Sequence, residues 1–353
     1  MKKFNKVLII ICVSFLSQNP GHATGISDFL NLSYTNSITG TIMNYRLFVP
    51  KGYDNRNEYP LIGFLHGVGE INQNNTAQVS VGCTFWANDT IQSNHPCFIV
   101  APNSYGNKGY WANANWWEGN YLQDKITISE SLQNYINIIE LVKDQYNIDA
   151  SRIYSTGLSM GGGGTWATLT RFPDMFAAAI PISGYGDATK MVLIKDIPIW
   201  TFHGSDDDVI NVETTRALVN ALKNAGSKVI KYTEMIGKRH VIWENGLGSN
   251  VYFTPGLANW LFAQKKSIEA NLNPNVYNER TNIKVYLNQE TCFLAVSGLK
   301  EGQNDLTIFD ETGIVRYKTT TNDTNFDIDL SGISKGICIL KLNKSYIKKI
   351  ILK

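Results

Sequence analysis

Continuous apolar runs alternate along this chain with stretches whose apolar residues recur every three or four positions. "PLIGFLHG" (60–67), "CFIVAPN" (97–103), "RIYSTG" (152–157), "AAAIPISG" (177–184), "IPIWTFHG" (197–204) and "KVIKYTEM" (228–235) read as strands, and "YRLFVP" (45–50) as an edge strand. Ile128, Leu132, Ile136, Ile139, Val142 and Tyr146 keep helical spacing, with Thr127 and Glu130 as a capping box. A second helix is predicted over 212–225, from an Asn211 cap to Gly226, and a third over 255–266, opened by Pro255. Strands interleaved with helices predict an α/β fold: a doubly wound, mostly parallel sheet covered on both faces.

The pattern changes after residue 266. Residues 267–281 are polar, contain Asn-Pro-Asn, and read as a linker. Beyond them, over 282–353, come "IKVYL", "CFLAVSGL", "LTIFDETG", "FDIDLSG", "GICILKL" and "KKIILK", with no helix between them. This predicts a small all-β sandwich. It holds no histidine, so the chemistry is expected in residues 24–266.

At the other end, Lys2, Lys3 and Lys6 precede an apolar run over 7–16 and the small-residue site Gly21-His22-Ala23. This is the form of a secretory signal over 1–23, too short to span a bilayer. Its removal takes three lysines and no acid from a chain of net charge +2, leaving −1. No basic stripe is left for a nucleic-acid partner, and no other stretch is apolar enough to span a membrane. Hydrophobic residues make up 43% of the 353, enough for a sizeable core. Four cysteines remain after the leader. Cys83 and Cys97 are the candidate disulfide, closing a 15-residue loop worth about 3 kcal/mol in the chain-entropy view. Cys292 and Cys338 either pair or serve as small buried residues. No His/Cys cluster has zinc spacing, and no metal is expected.

The candidate chemistry centres on "GLSMG" (157–161), a Gly-x-Ser-x-Gly placed between a predicted strand and a predicted helix. That context is a nucleophile elbow, which lifts the Ser159 hydroxyl to the carboxyl end of the sheet. A phosphate loop is excluded because no Lys-Ser or Lys-Thr follows the glycines. A serine nucleophile needs a base and an orienting carboxylate, which follow it in the order acid, then histidine. Of five histidines only His240 lies late enough. The acid is expected in Asp206-Asp207-Asp208, just past the strand 197–204. Two backbone N–H groups must meet the developing oxyanion. They are expected from Met160 and from Val68, in the turn "FLHGVGE", which His66 holds by a hydrogen bond. The segment 103–121 follows a strand at the same end. Its Trp111, Trp116 and Trp117 are candidates for stacking on a sugar or aromatic acyl group, or else for packing the loop down.

"YRLFVPKGYD", "YPLIGFLHGVGE", "GLSMGGGGTWATLTRFPDMFAAAIPISG", "FHGSDDDVI" and "RHVIW", in that order over about 35–265, resemble secreted α/β-hydrolase esterases. These are the feruloyl esterases, family-one carbohydrate esterases and polyhydroxyalkanoate depolymerases. The resemblance implies an α/β-hydrolase fold and a cofactor-free Ser-His-Asp hydrolysis of esters. Its acid follows His-Gly by three residues, which selects Asp207. Esters of plant polysaccharides are the implied substrates. A serine peptidase and a polyester depolymerase of the same fold share these residues, and a glycan-binding module is the non-catalytic alternative. The final "FDIDLSGISKGICILKLNKSYIKKIILK" is similar to the C-terminal sorting domains of type IX secretion, which implies secretion machinery as a partner and a cell-surface or released product.

Overall fold

Strands buried on both faces read as unbroken apolar runs, and such strands form the centre of the observed sheet. The computed structural model describes residues 25–36, 39–71, 74–104, 110–115, 119–243, 250–266, 284–288, 292–299, 301–310, 314–343 and 346–352. The expected leader 1–23, the linker 267–281, and Trp116 and Trp117 lie outside them. The chain divides into two units, Met1–Ser267 and Ile268–Lys353.

The first unit runs β1 (Phe29–Thr35), β2 (Ile42–Phe48), β3 (Tyr59–Leu65), α1 (Ala77–Ser80), α2 (Cys83–Ala87), α3 (Asp89–Asn94), β4 (Phe98–Pro102), α4 (Glu130–Gln145), β5 (Ile148–Leu158), α5 (Met160–Arg171), β6 (Ala178–Ile182), β7 (Ile199–Gly204), α6 (Glu213–Asn224), β8 (Ile230–Met235) and α7 (Leu257–Phe262). Its eight strands are ordered β1-β2-β4-β3-β5-β6-β7-β8. The pairs β1·β2 and β2·β4 are antiparallel and all others parallel. This is the α/β-hydrolase architecture. One core cluster joins α4 (Leu132, Tyr135, Ile139), α5 (Trp166, Leu169) and α6 (Leu218, Leu222) to the sheet. The other joins Val79, Trp86, Leu257 and Leu261 of α1, α2 and α7.

Three local expectations are corrected. Residues 45–50 do not form the edge strand: β2 lies inside β1, whose half-exposed "FLNLSYT" takes the edge. The cap of α4 is Ser129, whose Oγ accepts from Leu132 N at 3.0 Å and donates to the Trp111 carbonyl at 2.8 Å. Glu130 instead accepts from the hydroxyls of Thr39 and Thr41, which draws it away from a capping box with Thr127. The last helix is shorter than 255–266, because Gly256, at φ +76°, opens it and Leu257–Phe262 completes it.

The second unit contains β9 (Lys284–Asn288), β10 (Phe293–Ser297), β11 (Asn304–Asp310), β12 (Val315–Thr321), β13 (Asn325–Asp329), β14 (Gly336–Leu342) and β15 (Tyr346–Leu352). Its two antiparallel sheets, β13-β10-β9 and β12-β11-β14-β15, share one core. Leu294, Val296 and Ile328 enter it from the first, and Leu306, Ile308, Leu340 and Leu342 from the second. Among the described residues no helix is long and apolar enough to cross a membrane.

Candidate active site

The turn from β5 into α5 holds Ser159 at φ 54°, ψ −120°. A non-glycine residue with such a backbone stores about 1–3 kcal/mol, and the surrounding packing must hold it there. Ser159 N–H donates to the Ile182 carbonyl at 2.9 Å, and the Ser159 carbonyl accepts from Gly163 N–H at 3.0 Å. The glycines around it are required by close approach. A Cβ on Gly157 would lie 2.4 Å from the Gly161 oxygen, and one on Gly161 only 1.9 Å from the Leu65 oxygen. Added at Gly162 it would meet the Ile182 oxygen, at Gly163 the Tyr185 ring, and at Gly164 the Trp111 side chain. The four-glycine run thus lets α5 start against β3, β6 and two aromatic rings.

His240 sits in the loop after β8. Ile242 is buried beside it, and the Trp243 ring stands edge-on to the imidazole at 5.2 Å. His240 Nε2 is 2.9 Å from Ser159 Oγ, and Nδ1 is 2.7 Å from Asp207 Oδ2. A carboxylate only accepts, so the proton is on Nδ1, and Nε2 is left to accept from the serine hydroxyl. The three side chains form one continuous line in the order the sequence elimination expects. Gly204 makes the approach of the two loops feasible, since a Cβ there would be 2.3 Å from the Lys238 oxygen.

Of the three neighbouring acids, Asp207 alone points to His240. Asp208 pairs with Arg239, and Asp206 accepts from Ser205 Oγ at 2.6 Å. Asp207 Oδ1 accepts from Val209 N–H at 2.9 Å and Ile210 N–H at 2.8 Å. Its Oδ2 lies 3.0 Å from His203 Nε2 as well as near His240. Burial pushes this carboxyl up. Hydrogen bonds from His203 and His240, the charge interaction with His240 and the Ile210 N–H outweigh it and hold the group far below the usual carboxylate range. The sequence reading passed over His203. The signal was its place four residues before Asp207, across the turn.

Val68 and Met160 are the first residues of a 3-10 turn (Val68–Glu70) and of α5, positions whose N–H groups lack intrahelical acceptors. The turn is close to Ser159: a Cβ on Gly67 would be 3.7 Å from Ser159 Cβ. His66 anchors it, with Nδ1 donating to the Gly67 carbonyl at 2.6 Å and Nε2 accepting from Ser104 N–H at 3.0 Å.

Of the two roles open to Trp111 the structure shows packing, and the Cys83–Cys97 disulfide is not formed. Trp111 is wholly buried. Its Nε1 donates to the His66 carbonyl at 3.0 Å and its ring stands edge-on to the His66 ring, so it packs the segment down and no substrate ring can reach it. Cys83 and Cys97 are free thiols. Both are buried in the core beside Trp86, and Cys97 Sγ accepts from Gln92 Nε2 at 3.2 Å instead of bonding Cys83. Cys292 and Cys338 are also free. Among the described residues no cluster of His, Cys, Asp or Glu is arranged to hold a metal ion.

A profile of the phospholipase/carboxylesterase family matches residues 53–254, which include the whole Ser159–His240–Asp207 line. The chain belongs to this family. Among curated proteins of similar sequence, a bifunctional acetylxylan esterase/xylanase of Neocallimastix patriciarum is 37% identical over 76 residues, 22% of this chain and 11% of that protein. Feruloyl esterase D of Neurospora crassa is 25% identical over 188 residues, 52% of this chain and 60% of its own. The crystal structure of a thermostable esterase superposes with a TM-score of 0.60 at 40% identity, covering 68% of this chain and 64% of that one. The chain therefore spans less than two thirds of each of these relatives.

Proposed function

We propose that this chain is an exported serine esterase that hydrolyses acyl or feruloyl esters of plant polysaccharides through an acyl-enzyme. The reading is carried by the unbroken contact from Ser159 Oγ through His240 to Asp207. His240 Nε2 takes the serine proton as Oγ attacks the ester carbonyl. Asp207 keeps the Nδ1 tautomer and stabilises the imidazolium that forms. The N–H groups of Met160 and Val68 receive the oxyanion. His240 then protonates the departing alcohol, and the same nitrogen activates the water that clears the acyl group from Ser159.

The substrate class draws support from the acetylxylan and feruloyl esterases among the relatives. It also draws on the aromatic segment 103–121, in which Trp116 and Trp117 are the remaining candidates for stacking on the substrate. Export rests on the leader at 1–23. We assign 24–266 to catalysis and 267–281 to a linker from the sequence pattern, and 282–353 to a sorting domain for type IX secretion from the resemblance of its final residues to such domains.

A fluorophosphonate probe tests the chemistry. It should label the purified protein stoichiometrically, with the adduct on Ser159, and Ser159→Ala should abolish labelling. Undiminished labelling of that variant would mean another nucleophile.

A further inference from the structure

His203 ends β7 as part of "FHG" and is wholly buried, as is the side chain of Asp207. Its ring is fixed at both nitrogens. Nδ1 is 2.8 Å from Thr215 Oγ1 on α6. Nε2 is 2.8 Å from the Ile210 carbonyl and 3.0 Å from Asp207 Oδ2. Both neighbours of Nε2 are acceptors only, so that nitrogen carries a proton and shares it between them. Nδ1 faces the Thr215 hydroxyl, which also lies 3.3 Å from the Gly184 carbonyl.

We infer that His203 is a positioning residue for the hydrolytic reaction: its Nε2–H holds the Asp207 carboxylate in the rotamer that meets His240. The inference rests on the proposed serine chemistry and adds to it a fourth side chain, one that touches neither substrate nor nucleophile. The argument is one of filled valences. Asp207 Oδ1 is taken by the N–H groups of Val209 and Ile210. Oδ2 meets two imidazoles, His203 Nε2 at 3.0 Å and His240 Nδ1 at 2.7 Å. Ile210 closes the arrangement, since its N–H binds Asp207 and its carbonyl receives from His203. Without the His203 donor, Oδ2 retains His240 as its single side-chain partner, and rotation about χ2 is opposed only by that contact and the two N–H bonds to Oδ1. The titratable groups around His203 are Asp207 and His240 on the two loops and Glu234 on β8, which is itself engaged by Arg216 of α6. A buried histidine that only fills space is the alternative, and it makes a different prediction.

The test uses the full chain with p-nitrophenyl acetate as substrate and a fluorophosphonate as probe. His203→Phe keeps the ring volume and removes the donor. kcat should fall roughly tenfold or more, the scale expected of a displaced catalytic group, with KM within about twofold. Fluorophosphonate labelling should slow in parallel. His203→Gln, whose amide can donate toward Asp207, should recover most of the loss. A folded His203→Phe protein with wild-type kcat and labelling rate would overturn the inference, as would equal losses in both variants at equal melting temperature. If either variant fails to fold, 15N NMR of histidine-labelled wild type decides. A protonated, hydrogen-bonded His203 Nε2 resonance that moves in Asp207→Asn supports the role, and an unmoved or absent one refutes it. Failure of the serine reading is distinct, because wild-type protein would then not be labelled.

Discussion

Buried in the turn after β3, His66 has both ring nitrogens engaged by backbone groups, one as donor and one as acceptor. That pattern fits only the neutral ring. Desolvation pushes its pKa down from 6.5 to about 4, against a smaller upward pull from the Gly67 carbonyl. The folded value is below the unfolded one. The unfolded chain therefore binds the extra proton first as pH falls, and stability is lost between about 6.5 and 4. The full loss is of order 3 kcal/mol. Urea midpoints measured from pH 7 to pH 4.5 should fall for the wild type, and the slope should flatten in His66→Gln even though that variant is weaker at pH 7. An equal slope in both would exclude His66 as the origin. At this scale the sequence was legible where residues are scarce. With five histidines, order along the chain isolates His240. Where identical residues adjoin, the residues alone left Asp206, Asp207 and Asp208 open; the family resemblance selected Asp207, and the turn aims that one at His240.

Among elements, β5 and α5 show how a helix can begin on glycine. Helix propensity disfavours the run at 161–164, yet a methyl group at Gly161 would overlap the Leu65 backbone. Gly161→Ala should therefore destabilise by about 3 kcal/mol, since backbone cannot yield as a side chain does. Gly69→Ala, with nothing within 4 Å of the added Cβ, should leave the urea midpoint nearly unchanged. Comparable midpoints for the two variants would contradict the close-packing account. Period and runs placed β3 to β8, α4 and α6 within a few residues, while α7 is half the length expected. The short helices α1 to α3, at most six residues each, carry too few turns to leave a period. The cap of α4 was misread because Ser129 is favoured by a distant partner, the Trp111 carbonyl, which local spacing does not reveal.

At the scale of the whole chain, each unit has its own core, and Ser159, His203, Asp207 and His240 all lie in the first. A protein ending at residue 267 should fold and turn over p-nitrophenyl acetate within about twofold of the full chain, as expected of a unit with an independent core. Loss of that turnover, with the shortened chain unfolded by circular dichroism, would make the β unit part of the catalytic fold. By itself the sequence determined the alternation of strand and helix, the elbow at Ser159, the histidine that meets its hydroxyl and the change to an all-β unit, because period, glycine spacing and chain order are local or nearly so. Only the tertiary structure decided that β1 takes the edge, that Trp111 is core, that Cys83 and Cys97 stay free, and that His203 shares the oxygen of Asp207 with His240. These depend on which side chains meet across the fold, and burial and hydrogen-bond partners exist only once the chain has closed on itself.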